Sequence, residues 1–136
     1  MSAPRKADLG AVLGTRQASI LEYLWKHGPQ SVVHLHRGIA LVEDVAYTTI
    51  FTELSRMLKK GLVSKSTEGG SHFDTRYRAA VTREGVVSAV VARTLGALID
   101  AHGPAAIHGF VDAVSGDADA LAELRRALEA RPRKKR

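Results

Sequence analysis

The stretch AYTTIFTELSRMLKKGLVSKS, residues 46–66, decides the fold of this chain. Its apolar side chains recur at helical spacing, and Gly61 ends the helix just before a short strand. A solvated helix face usually carries Glu/Lys pairs, whereas the outward face of this helix carries hydroxyls followed by cations. Those outward residues are Thr48, Thr49, Thr52, Ser55, Arg56 and Lys59. Side chains of these types suit base edges and phosphates, so the face predicts contact with nucleic acid.

A basic two-stranded ribbon is predicted to follow this helix. Its strands cover 62–66 and 72–79, and Glu68-Gly69-Gly70-Ser71 forms the tip. In the second strand, alternation places Phe73, Thr75 and Tyr77 on one face and His72, Asp74, Arg76 and Arg78 on the other. We expect Tyr77 to pack rather than to contact a ligand. A helix followed by a basic ribbon is the winged form of a helix-turn-helix, so the fold class is mainly α with a small β-wing.

Two helices are predicted before the decisive stretch. The first runs from about Thr15, its expected cap, to Lys26, and Trp25 is expected to pack in the core. The second runs from Ser31, also an expected cap, to about Leu41, and residues near Val32 can form a brief third strand. The helix of the decisive stretch is expected to cover 45–60 with Asp44 as its cap. The residues that its spacing points toward the core are Tyr47, Ile50, Phe51, Leu54 and Leu58.

From Thr82 onward the pattern is helical, with breaks at Gly103-Pro104 and Ser115-Gly116-Asp117. Three short helices this rich in Val and Leu would leave a large apolar patch exposed on a monomer, so we expect a two-fold dimer. The predicted dimerisation residues are Val87, Val90, Val91, Leu95, Leu98, Phe110, Leu121, Leu124 and Leu128. The predicted domains are thus 1–80, a winged helix, and 81–130, a helical dimerisation domain, followed by a basic tail, 131–136.

The formal charge of +6 is unevenly distributed. Residues 1–80 carry 11 Lys/Arg against 7 Asp/Glu, residues 81–130 carry 4 against 7, and the last six residues carry five cations. This asymmetry favours a polyanionic partner for the first half and a different task for the second. The chain has no cysteine, which excludes disulfides and Cys-based metal sites. No apolar run is long enough for a membrane span and no signal peptide is apparent, so a cytoplasmic location is expected.

The candidate DNA-binding residues are Thr48, Thr49, Thr52, Arg56, Lys59, Lys60, Lys65, Arg76 and Arg78. Threonine offers a methyl for thymine and a hydroxyl for a base or phosphate, while Arg56 can reach guanine or phosphate. The alternatives are solvated or backbone-bonded hydroxyls and a solvated basic face. The cationic tail either adds non-specific attraction to DNA or has no specific role.

No cofactor, metal site or enzymatic activity is predicted. His34 and His36 diverge on their helix, and lone histidines are more often surface or capping residues. Ser71, His72 and Asp74 are neighbours on the wing, where they cannot adopt the geometry of a catalytic triad. The helix face of hydroxyls and cations, the basic wing and the apolar second half favour a homodimeric, sequence-specific DNA-binding repressor on a palindromic promoter operator. Two alternatives stay open: a protein-interaction module on a winged-helix scaffold, and a non-specific DNA-binding protein.

Three segments resemble the BlaI/MecI/CopY family of bacterial repressors, also called penicillinase repressors. They are ILEYLWKHG, AYTTIFTELSRMLKKGLV and FVDAVSGDADALAELRRALEA. The resemblance implies an N-terminal winged helix, a C-terminal dimerisation domain and inverted TACA/TGTA-like operator half-sites. It also implies repression of antibiotic-resistance or copper-handling genes. In the β-lactam-responsive members it implies release from DNA when a sensor protease triggers cleavage.

The chain departs from that family pattern in three places. It lacks the Cys-x-Cys pairs of the copper-responsive branch, and Gly109-Phe110 stands where some members have a cleaved Asn-Phe bond. The wing tip has Gly69-Gly70-Ser71-His72 where many members have Gly-Arg. Three alternatives therefore stay open for how repression is relieved: cleavage at a shifted site, release by a small-molecule effector, or no induction, so that repression is constitutive.

Overall fold

The computed structural model describes residues 4–67 and 75–131 and confirms the mainly helical fold with a small wing. Its elements are α1 (Lys6–Leu13), α2 (Thr15–His27), α3 (Val32–Ala40), α4 (Tyr47–Lys59), β1 (Val63–Thr67), β2 (Thr75–Ala79), α5 (Val86–His102), α6 (Pro104–Ser115) and α7 (Ala118–Ala130). The predicted wing tip, with His72, Phe73 and Asp74, lies outside the described residues, as does the tail beyond Arg131.

The described residues up to Val91 form one compact unit, and those from Ala92 form a second. The boundary between the two units thus falls within α5. The functional boundary expected after residue 80 stays a prediction. Within the described part of the chain, none of the helices combines the length and the apolar composition needed to cross a bilayer.

Helix ends follow the sequence closely, but two of the three predicted caps are wrong. The Ser31 hydroxyl accepts a hydrogen bond from the backbone N–H of His34, as expected of a cap. Thr15, by contrast, is already the first residue of α2, and α4 begins after Ala46 without a side-chain cap. Asp44 instead offers its backbone carbonyl to Arg16. Gly61 ends α4 with φ +74, a conformation that favours glycine.

Helix α1 was not predicted from the sequence. It spans only eight residues, too few for a convincing apolar period. Burial explains its presence, because Leu9 is completely buried and Leu13 nearly so. Gly14 separates α1 from α2 with φ +88. The helix therefore depends on packing against α2, rather than on its own propensity.

The inner face of α4 is rotated relative to the prediction. Ile50, Leu54 and Met57 are completely buried and form one stripe at spacings of four and three. Tyr47 and Phe51, both expected in the core, are 39% and 40% exposed. Since Met57 completes the stripe, the two aromatic rings are displaced to its edge. Leu58 is half-buried against the same core.

The wing is a two-stranded antiparallel sheet whose first strand begins one residue later than predicted. Val63 pairs with Ala79 and Thr67 with Thr75. The expected third strand is a single bridge at Gln30, whose backbone N–H and carbonyl exchange hydrogen bonds of 2.9 and 2.8 Å with Tyr77. Tyr77 is buried, which confirms that it packs in the core. The wing is thereby fixed to the segment between α2 and α3.

The entry into α5 is anchored to α2. The sequence suggested that Thr82 begins this helix, but α5 begins at Val86. Thr82 instead caps a turn, because its hydroxyl accepts a hydrogen bond from the backbone N–H of Gly85. Arg83 ion-pairs with Glu22 and lies over the Trp25 ring, at 4.7 Å from its centroid. Trp25 is half-buried against the core, as expected, and its indole N–H donates to the carbonyl of Val81 at 2.9 Å.

Candidate nucleic-acid interface

The first turns of α4 carry the three candidate threonines. Thr48 and Thr52 are exposed and lie one turn apart, so they share a face of the helix, whereas Thr49 is half-buried. The N-terminus of α4 has no side-chain cap, and its positive dipole end favours an anion. Ser55 donates its hydroxyl to the carbonyl of Phe51 at 3.0 Å. The exposed hydroxyls therefore concentrate at the end of α4 that attracts phosphate.

The cations of α4 are not all directed outward. Arg56 and Lys59 are exposed, and Arg56 forms an ion pair of 2.8 Å with Glu53 on the same helix. Lys60, just beyond α4, donates to the amide oxygen of Gln17 in α2 at 3.2 Å. The predicted basic face thus includes one ion pair, between Arg56 and Glu53. One of its lysines, Lys60, is directed toward α2.

Gln17 and Glu53 were missed by sequence reasoning. Gln17 is buried, and its amide nitrogen donates to Glu53 at 2.9 Å. The only sequence signal was a lone acid three residues before Arg56, a spacing that permits a helical ion pair. Nothing local indicates Gln17, because it lies 36 residues from Glu53 in the chain.

The wing presents two arginines on one face. Arg76 and Arg78 are exposed and stand opposite Ser66 and Ser64 in the strand register. The Nε of Arg78 donates to the hydroxyl of Ser64 at 3.1 Å. Lys65 stands opposite Tyr77 and therefore belongs to the other face of the sheet. The structure brings Arg76 and Arg78 together and separates Lys65 from them.

The predicted dimerisation residues are largely uncovered in the single chain. Exposed fractions run from 37% to 64% for Val87, Val91, Leu98, Phe110 and Leu128. Val90, Leu95, Leu121 and Leu124 are half-buried. Val90 packs against the winged-helix core, so part of its surface serves that unit. Among residues 92–131 no side chain is buried, which leaves this unit without a core of its own.

Two histidines of the first unit take part in local hydrogen bonds. The Nδ1 of His34 lies 2.9 Å from the hydroxyl of Ser31, and the Nε2 of His36 lies 2.9 Å from the carbonyl of Val45. The first contact lies at the N-terminal cap of α3, and the second joins α3 to the loop that precedes α4. The two rings serve separate structural contacts.

Comparisons with known proteins identify the family and two relatives of this chain. The family model described as penicillinase repressor matches residues 13–130. Two curated relatives are named "Transcriptional regulator BlaI", one from Mycobacterium tuberculosis strain CDC 1551 / Oshkosh and one from strain ATCC 25618 / H37Rv. Each is 33% identical over 121 residues, which cover 87% of this chain and 86% of the relative.

Proposed function

Because this chain belongs to the penicillinase repressor family, we propose that it is a homodimer that represses transcription by binding a palindromic operator. Its family consists of transcriptional repressors, which are not enzymes. The observation that supports sequence-specific binding is the exposed face of α4, where Thr48 and Thr52 precede Arg56. We infer that this face enters the major groove, because the N-terminal part of a recognition helix contacts base edges.

The wing and the rest of α4 supply phosphate contacts in this proposal. Arg76 and Arg78 share an exposed face, which suits two neighbouring phosphates of one strand. Lys59 adds positive charge near the end of α4. Lys65 lies on the other face of the wing, so in this proposal it contributes less to the interface than Arg76 and Arg78. Such contacts fix the protein on the duplex, while the threonines read its sequence.

Dimerisation is proposed for the second unit. Its described side chains are all at least partly exposed, although apolar residues recur along the end of α5 and along α6 and α7. A second copy offers the same apolar residues in return, so a two-fold contact buries both sets at once. Two linked winged helices then match a DNA site with two inverted half-sites. The TACA/TGTA-like half-site follows from the family resemblance.

The test is fluorescence anisotropy with a TACA/TGTA palindrome and a scrambled duplex across a salt series. We expect binding about a thousandfold tighter to the palindrome, with a steep salt dependence. Equal affinities that remain steep in salt would mean a non-specific DNA-binding protein or a different operator. Absence of binding to either duplex at low salt would refute a DNA-binding role and favour a protein-interaction module.

A further inference from the structure

Glu53 is a poorly exposed acid on the helix proposed to read DNA. Its side chain is 15% exposed, whereas that of its partner Arg56 is 63% exposed. One carboxylate oxygen, Oε1, accepts from Arg56 at 2.8 Å. The other, Oε2, accepts from the amide nitrogen of Gln17 at 2.9 Å. Both oxygens are therefore engaged, which distinguishes this pair from an ordinary surface ion pair.

Gln17 extends this arrangement into the core. It lies on α2, is 4% exposed, and its amide oxygen accepts from Lys60 at 3.2 Å. With its nitrogen directed to Glu53 and its oxygen to Lys60, the amide is held at both ends. The hydrogen bonds thus run in series from Lys60 through Gln17 and Glu53 to Arg56, joining α2 to α4.

A carboxylate beside Arg56 changes what this arginine can do on DNA. The pair has no net charge, so its attraction to phosphate is weak, and phosphate repels the acid. A guanidinium held by one N–H keeps other donors in a rigid planar fork. That fork matches the O6 and N7 atoms of guanine, and its specificity depends on being held in one orientation.

We propose that Gln17 and Glu53 are positioning residues that hold Arg56 for reading a guanine edge rather than a phosphate. This inference rests on the proposed function. The TACA/TGTA-like half-site contains one G·C pair, which is the target that the fork of Arg56 would recognise. Arg56 then contributes to sequence discrimination and adds little to the salt dependence of binding.

The first test is Glu53→Gln, which keeps the size of the side chain and removes its charge. Anisotropy compares the palindrome with a duplex in which the G·C pair of each half-site is replaced by A·T. We expect the wild type to bind the palindrome more tightly than the substituted duplex. In the variant, the ratio of these two affinities should fall at least about fivefold. Released from Glu53, Arg56 becomes a phosphate ligand, so the salt slope steepens by about one per subunit.

The matched control is Glu123→Gln on α7. Glu123 also pairs with an arginine three residues later, Arg126 at 2.6 Å, but both side chains are highly exposed. It makes the same change in net charge. We expect it to leave the discrimination ratio at the wild-type value. An equal effect of both variants would show that net charge alone is responsible and would overturn the inference.

A second variant, Gln17→Met, separates positioning from charge. It keeps an unbranched side chain in the buried site and removes the support of Glu53 without changing any charge. We expect it to reduce discrimination in the same direction, with thermal unfolding confirming that the variant is folded. Wild-type discrimination in either folded variant, Gln17→Met or Glu53→Gln, would overturn the inference. A wild type without preference for the palindrome would instead refute the proposed function, and this inference with it.

Discussion

Replacement of Arg83 by alanine should be among the most destabilising single changes of a partly exposed residue in the winged-helix unit. The guanidinium donates to both carboxylate oxygens of Glu22 and to the carbonyl of Pro4, the latter at 3.1 Å. It also lies over the ring of Trp25. One side chain thus connects the segment before α1, the middle of α2 and the entry into α5. Hydrogen bonding to Glu22 raises the pKa of Arg83, so it stays charged at any working pH.

The expected loss follows from these contacts. The side chains of Arg83 and Glu22 are 31% and 23% exposed, so solvent screens this pair less than a fully exposed one. Hydrogen bonds to a charged group contribute about 1.5–3 kcal/mol, and a cation–π contact about 0.5–1 kcal/mol. Because these contacts share one side chain they are not additive, and we expect about 2–4 kcal/mol in the free energy of unfolding.

Urea unfolding of the full chain, followed by circular dichroism at one fixed protein concentration, measures this loss. The control is Arg126→Ala, which breaks an ion pair whose side chains are 72% and 65% exposed. That change should cost less than about 0.5 kcal/mol. Arg83→Lys keeps the charge without the planar fork and should fall between the two. The reasoning is refuted if Arg83→Ala is no more destabilising than Arg126→Ala.

Three further outcomes are expected. Arg78→Ala should weaken binding to specific and scrambled duplexes alike and reduce the salt slope by about one per subunit. Lys65→Ala, on the other face of the wing, should have a smaller effect in the same anisotropy series. Equal effects of the two variants would contradict the assignment of these residues to different faces. Leu98→Glu places a charge on the exposed apolar surface of α5 and should yield monomers in sedimentation experiments; an unchanged dimer would place the interface elsewhere. Burial raises the pKa of Tyr77 above its usual 10.0. The neutral phenol is therefore favoured in the folded state, and its contribution to stability is complete below about pH 10 and lost as the pH rises through the raised pKa. As the pH rises above about 10, the wild type should therefore lose free energy of unfolding relative to Tyr77→Phe, which has no phenol to ionise. A difference between the two proteins that does not change with pH would contradict this.

Local pattern was sufficient for most of the architecture. The period of apolar residues located α2, α3 and α4 to within a few residues, and Gly61 marked the end of α4. Alternation in the second strand separated Tyr77 from Arg76 and Arg78. These features depend on neighbours close in the chain, so the sequence carries them directly.

The errors arise where the local pattern does not decide between neighbouring positions. Asp44 was predicted to cap α4, whereas the helix begins after Ala46. Tyr47 and Phe51 have helical spacing and are apolar enough for a core. The choice between them and Met57 depends on the space that α2 and α3 leave beside α4, a quantity that periodicity does not contain.

By itself, the sequence determined a helix with an outward face of hydroxyls and cations, a basic wing and an apolar helical second half. All three follow from residue type and spacing along the chain. Only the tertiary structure decided how individual charges are used: Arg83 is joined to Glu22 across 61 positions, and Gln17 to Glu53 across 36. The physical reason is that a hydrogen bond between side chains requires their atoms to lie about 3 Å apart. Such proximity between distant segments is created by folding, and no local pattern encodes it.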